Sequence, residues 1–476
     1  MDDEEIDIYE LARRYEQMQA LGKKIYFDAD EFALLADFYH AQGNTQRAYS
    51  LIDEGLRMHP QSTELLIQRA KRLVYESMYD EAYDFLQQFS DDENIDVPLL
   101  KIESMLHLGM INEANILIEK LMKLDLTNED FYLFLTEIGY VFNDIDDYDR
   151  AISFLEQSLQ IEEDNPEVLV DLAYAYEMKN DFEKAILYNN KLLDIDTFSF
   201  DAWVNIGKLY SLADDHAKAV EAFDFALSIR EDDVQVMKMK ALSLYLNDNV
   251  EEALRIFKEC LEQSPEDESL YDSLMEGYSV MEQYDEMQRI IDLKQQRFGD
   301  KGIGVKRANA YIEEGKYEEA RAIFNHLPEE DKNSFEYYFL EGELAMNDDD
   351  INSAEIAFMK AALLSPDNEA VIDRLANICV IKERYPQAVE YLEQLLQIDP
   401  DFPTVKSRLA LIRFEIGVKE PFDKIMEEFS DNELRLLLNV LLPTDQHDYS
   451  KFSREKMLQR LNEARENRVM FKNIKY

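Results

Sequence analysis

Six histidines, two cysteines and two acid-rich turns are the residues of this chain on which catalysis or metal binding would draw. An imidazole works as a base or a ligand only beside a partner of matching chemistry. His40, His59, His107, His216, His326 and His447 stand apart from one another, and none falls in an HExxH pattern or a Cys–His cluster. Cys260 and Cys379 are far apart in the chain. They set up no disulfide framework, and each is expected to be a buried, inert thiol rather than a nucleophile. Gly302-Ile303-Gly304 has neither the preceding strand nor the following Lys-Ser/Thr of a phosphate-binding loop. The turns Asn143–Asp149 and Asn347–Asp350 are rich in oxygen ligands. They lack the sixth-position glycine and the closing glutamate of a calcium-binding EF-hand, so solvated turns and helix caps are expected. No catalytic, cofactor-binding or metal-binding residue is assigned, and no cofactor is expected.

What remains is surface. Among 476 residues, 50 are Lys or Arg and 101 are Asp or Glu, a formal charge of −51. Such a surface repels phosphate backbones, which excludes nucleic acid as the expected partner, and it steers cationic partners inward. Apolar residues make up 46% of the chain, enough for a substantial core, while only 13 glycines and 11 prolines interrupt it. That composition favours helices over the many turns of an all-β fold. No apolar run approaches the ~20 residues that span a bilayer. The opening MDDEEIDIYE has neither a basic nor an apolar leader segment, so a soluble cytoplasmic protein is expected.

The elements that position this surface are read from self-similarity. Residues 166–231 align with themselves at a shift of 34, placing Leu169 on Trp203, Leu172 on Ile206, Ala173 on Gly207, Tyr176 on Tyr210 and Ala185 on Ala219. A column of Ala48, Ala82, Ala114, Ala151, Ala185, Ala219, Ala253, Met287, Ala320, Ala354 and Ala388 carries the phase through the chain. Twelve residues earlier runs a second, mostly small column, including Ala36, Ala70, Gly139, Ala173, Gly207, Ala241, Ala308, Gly342 and Ala376. Small residues there let two antiparallel helices approach closely. Gly43, Gly109 and Gly315 share one inter-helix position, taken elsewhere by Asn180, Asp214 or Asp248. These residue types tolerate the left-handed turn conformation.

This pattern resembles the tetratricopeptide repeat family. Trp203, Gly207, Tyr210, Ala219, Phe223 and Ala226 carry the resemblance in one repeat, and Gly342, Ala354, Phe358, Ala361 and Pro366 in another. The resemblance implies an all-α, right-handed solenoid of eleven two-helix repeats plus a twelfth first helix. Residues 1–28 are expected to form an N-terminal capping helix, built on Ile8, Leu11, Tyr15, Met18 and Leu21. Residues 29–419 form the solenoid and 420–476 a C-terminal helical cap with a basic tail, docked through Phe452, Met457, Leu458, Leu461 and Met470. Helix Glu433–Leu442 is expected to close the array. Three extra residues near Asp125–Asp130 are expected in a longer turn. Bulky Met275 and Met287, followed by the glycines of 299–304, are expected to mark a drifted repeat that still stacks, with a joint over 268–304 as the alternative.

By the same resemblance, first helices line a concave groove through the second, fifth, ninth and twelfth positions of each repeat. The ends of that groove are acidic, with Asp30, Glu64, Asp96, Glu103, Glu343 and Asp373. The centre is mixed: Val170, Tyr174, Glu177, Asp201, Val204, Asn205, Lys208, Lys238, Leu242 and Tyr245. Asn205, Asn309 and Asn377 are candidates to hydrogen-bond an extended peptide backbone. The Lys/Asn/Arg clamp with which some family members hold chaperone C-termini is not met, because Val170 and Tyr174 stand where it needs polar groups. The expected function is a non-catalytic scaffold or adaptor that holds a basic or amphipathic protein segment. The alternative is self-assembly through the basic tail, and an enzyme ranks third.

Overall fold

The computed structural model describes residues 8–21, 26–90, 94–400, 402, 405–415, 429–432, 434–435, 438 and 449–466. Among the described residues there are 25 α-helices and no strand, and the fold is an α-solenoid. From Ala29 to Ile398 first and second helices alternate through the eleven expected repeats, and the twelfth first helix is Val405–Glu415.

Local chemistry sets the helix starts. Asn44, Asp147, Asp181, Asp215 and Asp350 each accept the backbone N–H three residues ahead and so begin second helices. Ser62, Asn165, Ser199, Asp233 and Asn368 do the same for first helices. Each cap satisfies an amide that the helix leaves unpaired. The residue five before the alanine column is left-handed in every repeat. It is glycine at 43, 109 and 315, and Ser77, Asp146, Asn180, Asp214, Asp248, Glu282, Asp349 and Glu383 elsewhere, with φ between 55° and 61°.

Packing explains both small columns. All ten alanines of the first are at most 1% exposed. In the second, a Cβ on Gly139 would stand 2.4 Å from Leu155 Cδ2, and one on Gly207 would stand 2.5 Å from Phe223 Cε1. The missing side chain is what lets the second helix seat a large residue against the first.

The chain divides into two compact units, Met1–Asp248 and Asn249–Tyr476. In the first, helix Ile8–Ala20 lays Leu11, Ala12 and Tyr15 against Phe27, Phe32 and Leu35. Leu21 is 66% exposed and takes no part, so the covering stripe ends at half-buried Met18. Cores run from repeat to repeat: Leu155, Leu169, Leu172, Ala185 and Leu209 belong to one cluster drawn from three repeats. The extra residues near 125–130 lengthen a helix instead of a turn. Asn128–Asp144 has 17 residues where its neighbour Pro166–Met178 has 13, because Thr127 caps it a full turn early.

In the second unit, Met275 and Met287 are 5% and 7% exposed. Gly277, two residues after Met275, faces the preceding repeat instead: a Cβ there would lie 2.7 Å from Leu254 Cδ2 on helix Val250–Gln263. Residues 268–304 fall inside the second unit, which begins at the turn before Val250. Most of the Glu433–Leu442 helix, and Met470, lie outside the described residues; Leu434 and Leu438 are buried. Helix Arg454–Glu466 buries Met457 and Leu461, and Arg454 donates to the Phe429 carbonyl at 2.6 Å.

Candidate functional site

Residues of the small column turn inward, so the next residue on each first helix turns toward the open face. In the first unit these are Asp37, Lys71, Glu103, Tyr140, Tyr174, Lys208 and Leu242. Between helices Thr63–Tyr75, Asp96–His107 and Asn128–Asp144 this face sinks into a cavity of about 290 Å³. Its floor is apolar, with Leu99, Leu100, Leu133, Ile138 and Val141, and its polar wall is Lys71, Asp96, Glu103 and Glu137.

The charges there do not balance. Lys71 Nζ lies 3.1 Å from Asp96 Oδ2, which engages the one cation of the lining. Among the described residues Glu103 and Glu137 form no hydrogen bond or ion pair. Burial, with Glu137 and Asp144 adding their repulsion, pushes the Glu103 carboxyl up to about 7. Burial also raises Glu137, against the pull of Lys71. One helix further on, burial raises Asp171, although Asn143 Nδ2 donates to its Oδ1 at 3.0 Å. Burial and the charges of Asp171 and Glu167 hold the Tyr140 hydroxyl well above its ordinary range. Desolvation penalises the charged carboxylates, and a cation placed among them would remove that penalty.

The second unit treats its acids differently. Asp272 pairs with Lys294 at 2.8 Å and with Lys306, and Lys294 also reaches Glu268 at 2.9 Å. Glu343 holds Arg374 at 2.6 Å, Asp373 holds Arg408, and Glu355 holds Lys382 at 2.6 Å and Arg384. These partners keep Asp272 and Glu355 below the usual carboxylate range in spite of burial.

The predicted groove residues meet different fates. Val170, Tyr174 and Leu242 are 49%, 43% and 52% exposed, as a contact surface requires. Tyr174 rests edge-on against Tyr148 at 6.0 Å. Asp201 and Lys208 are exposed, while Glu177, Asn205, Lys238, Tyr245 and Asn309 are half-buried. Val204 is a correction: it is 8% exposed and packs with Phe200, Ala219 and Phe223. Asn377 is a second correction. Its amide is taken by Asp373 and Arg408, so it is not available to a peptide backbone. Asn309 and Asn377 belong to the second unit and the other ten to the first.

Glu137, Asp144 and Asp171 were missed by reading fixed repeat positions. Glu137 and Asp171 occupy position six, and the longer helix Asn128–Asp144 obscured the register of its repeat. The available signal was acid beside acid on consecutive first helices. Asn143, expected in a solvated turn, is 4% exposed and donates to the Asp171 carbonyl at 3.1 Å. Cys260 and Cys379 are buried, and burial raises the Cys379 thiol. His107 stacks on Tyr79 at 4.1 Å, and burial lowers its basicity. Among the described residues no His, Cys, Asp or Glu group is arranged to hold a metal, and no helix is long and apolar enough to cross a membrane.

Models of the tetratricopeptide repeat match residues 32–64, 146–203, 200–233, 305–334, 335–368 and 371–406. No curated protein matches the chain. Among solved structures, a tetratricopeptide repeat protein from Parabacteroides merdae is 20% identical, with 52% of this chain and 98% of that chain covered and a TM-score of 0.41. The Cut9–Hcn1 hetero-tetramer of the APC/C is 13% identical, covering 90% of this chain and 96% of that one, with a TM-score of 0.41. MamA protein is 23% identical over 35% of this chain and 90% of its own, with a TM-score of 0.31.

Proposed function

This chain is a tetratricopeptide repeat protein, and we propose that it is a non-catalytic adaptor that holds a basic segment of another protein on the first-helix face of residues 63–178. The observation that carries this reading is a cavity lined by two desolvated carboxylates, Glu103 and Glu137, that form no hydrogen bond or ion pair among the described residues, while the nearby Lys71 is paired with Asp96. Burying charge without a partner costs free energy that a bound cation returns. The paired acids of the second unit offer no such gain. Val170 and Tyr174, exposed on the next first helix, supply apolar contact beside the acids. The buried thiols fit a reducing cytoplasm.

Self-assembly through the basic tail is less favoured, because helix Arg454–Glu466 is already engaged within its own chain. The test is the association of octalysine with the immobilised full chain. Its on-rate should fall about tenfold or more from low to high salt, as steered encounters do. Octaglutamate should not bind. An on-rate indifferent to salt, or equal binding of both peptides, contradicts the proposal.

A further inference from the structure

The cavity between the second, third and fourth first helices has a chemistry of its own, beyond the general attraction of an acidic face. It is deep enough to have an apolar floor, formed by Leu99 and Leu100 from one helix and Leu133, Ile138 and Val141 from another. Two carboxylates, Glu103 and Glu137, stand on its wall with no bonded partner among the described residues. Its volume of about 290 Å³ exceeds what one long side chain occupies. A hydrocarbon floor beneath an anionic wall matches a side chain that carries a cation at the end of a methylene stem. A small inorganic cation would leave the floor unused, and an apolar side chain would leave the carboxylates uncompensated.

We infer that this cavity is the anchor subsite of the basic segment, and that it takes a single lysine or arginine side chain, stem on the leucine floor and cation between Glu103 and Glu137. The inference rests on the proposed function and deepens it, because it assigns one residue of the partner to one place. The charged groups facing the subsite are Lys71 and Asp96 at its rim, Glu103, Glu137 and Asp144 around it, and Glu167 on the next first helix. Lys71 stays with Asp96. A guest cation would therefore meet two carboxylates, and Glu103 would release its proton as the guest enters near neutral pH. Association should accordingly tighten as pH rises through about 7.

The discriminating experiment titrates the full chain with octalysine, octaarginine and octaornithine at one ionic strength and measures affinity calorimetrically. Ornithine keeps the charge of lysine but shortens the stem by one methylene. An electrostatic face alone cannot tell them apart, whereas burial of one methylene amounts to about fourfold in affinity. Octalysine or octaarginine should bind about fourfold or more tightly than octaornithine, and the better of the two identifies the head group. The double variant Glu103→Gln/Glu137→Gln, which keeps the shape of the wall, should erase that preference and the proton release. Equal binding of all three peptides to the unaltered chain, with binding still dependent on salt, overturns the anchor while leaving the basic-segment reading intact. Absence of binding by every peptide overturns both. A stem preference that persists in the double variant also overturns the anchor.

Discussion

Glu103 should make the stability of the first unit fall as pH rises, and Glu103→Gln should remove much of that fall. Burial and the neighbouring acids hold its carboxyl at about 7 in the folded chain, against an ordinary value of 4.5. Because the folded value is the higher one, folding takes up a proton. Below pH 4.5 the group is protonated folded or unfolded, and it contributes nothing to the pH dependence. Between 4.5 and about 7 stability declines with rising pH, and above that the penalty is complete and constant. At about 1.36 kcal/mol per pH unit the interval amounts to about 3.4 kcal/mol, and partial contact with water reduces the expectation to about 2. Glutamine keeps the shape and cannot ionise. At pH 8 the variant should therefore be about 2 kcal/mol more stable than the parent, and near pH 4 the two should converge. Glu137 and Asp171 are shifted the same way, so a residual slope remains. Urea unfolding from pH 4 to 8.5, with hydrogen exchange of helix Asp96–His107 to localise the effect, measures this directly. Parallel pH profiles for parent and variant would mean that Glu103 is well solvated, and the reasoning from desolvation would fail.

Other substitutions test the packing. Gly207→Ala should destabilise the first unit by about 1–3 kcal/mol in urea unfolding, because the new Cβ meets the Phe223 ring, itself 1% exposed. Glu383→Gly should stabilise the second unit by about 1 kcal/mol, seen as a higher Tm, because φ of 56° suits glycine better than a side-chain-bearing residue. Asp272→Ala should cost about 2 kcal/mol in urea unfolding, because it strips a partner from Lys294, whose side chain is 3% exposed, while Glu268 remains.

How much of this was legible in the sequence depends on what each residue answers to. The alanine and glycine columns report a steric requirement that recurs every repeat, and periodicity exposes it without any structure. The left-handed turn recurs as strictly, but glycine marks it in only three repeats; Ser77, Glu282 and Glu383 adopt it because the caps and helices around them fix the backbone. Met275 and Met287 put bulk where the other repeats keep small residues, yet both are buried, because an unbranched thioether side chain adapts to the space a crossing leaves. The groove was legible as a face and less so as a site. Val204 occupies a groove position, yet Phe200 and Phe223 draw it into the core. The importance of Glu103 and Glu137 comes from their lack of partners across helices, which depends on tertiary packing and not on spacing.

Hydrogen exchange of the full chain with and without saturating octalysine tests the central claim most directly. A basic segment bound to the uncompensated acids should slow exchange in helices Thr63–Tyr75, Asp96–His107, Asn128–Asp144 and Pro166–Met178, and leave Glu268–Val280 and Glu369–Ile381 unchanged. Protection spread evenly over both units, or confined to the second, would contradict it.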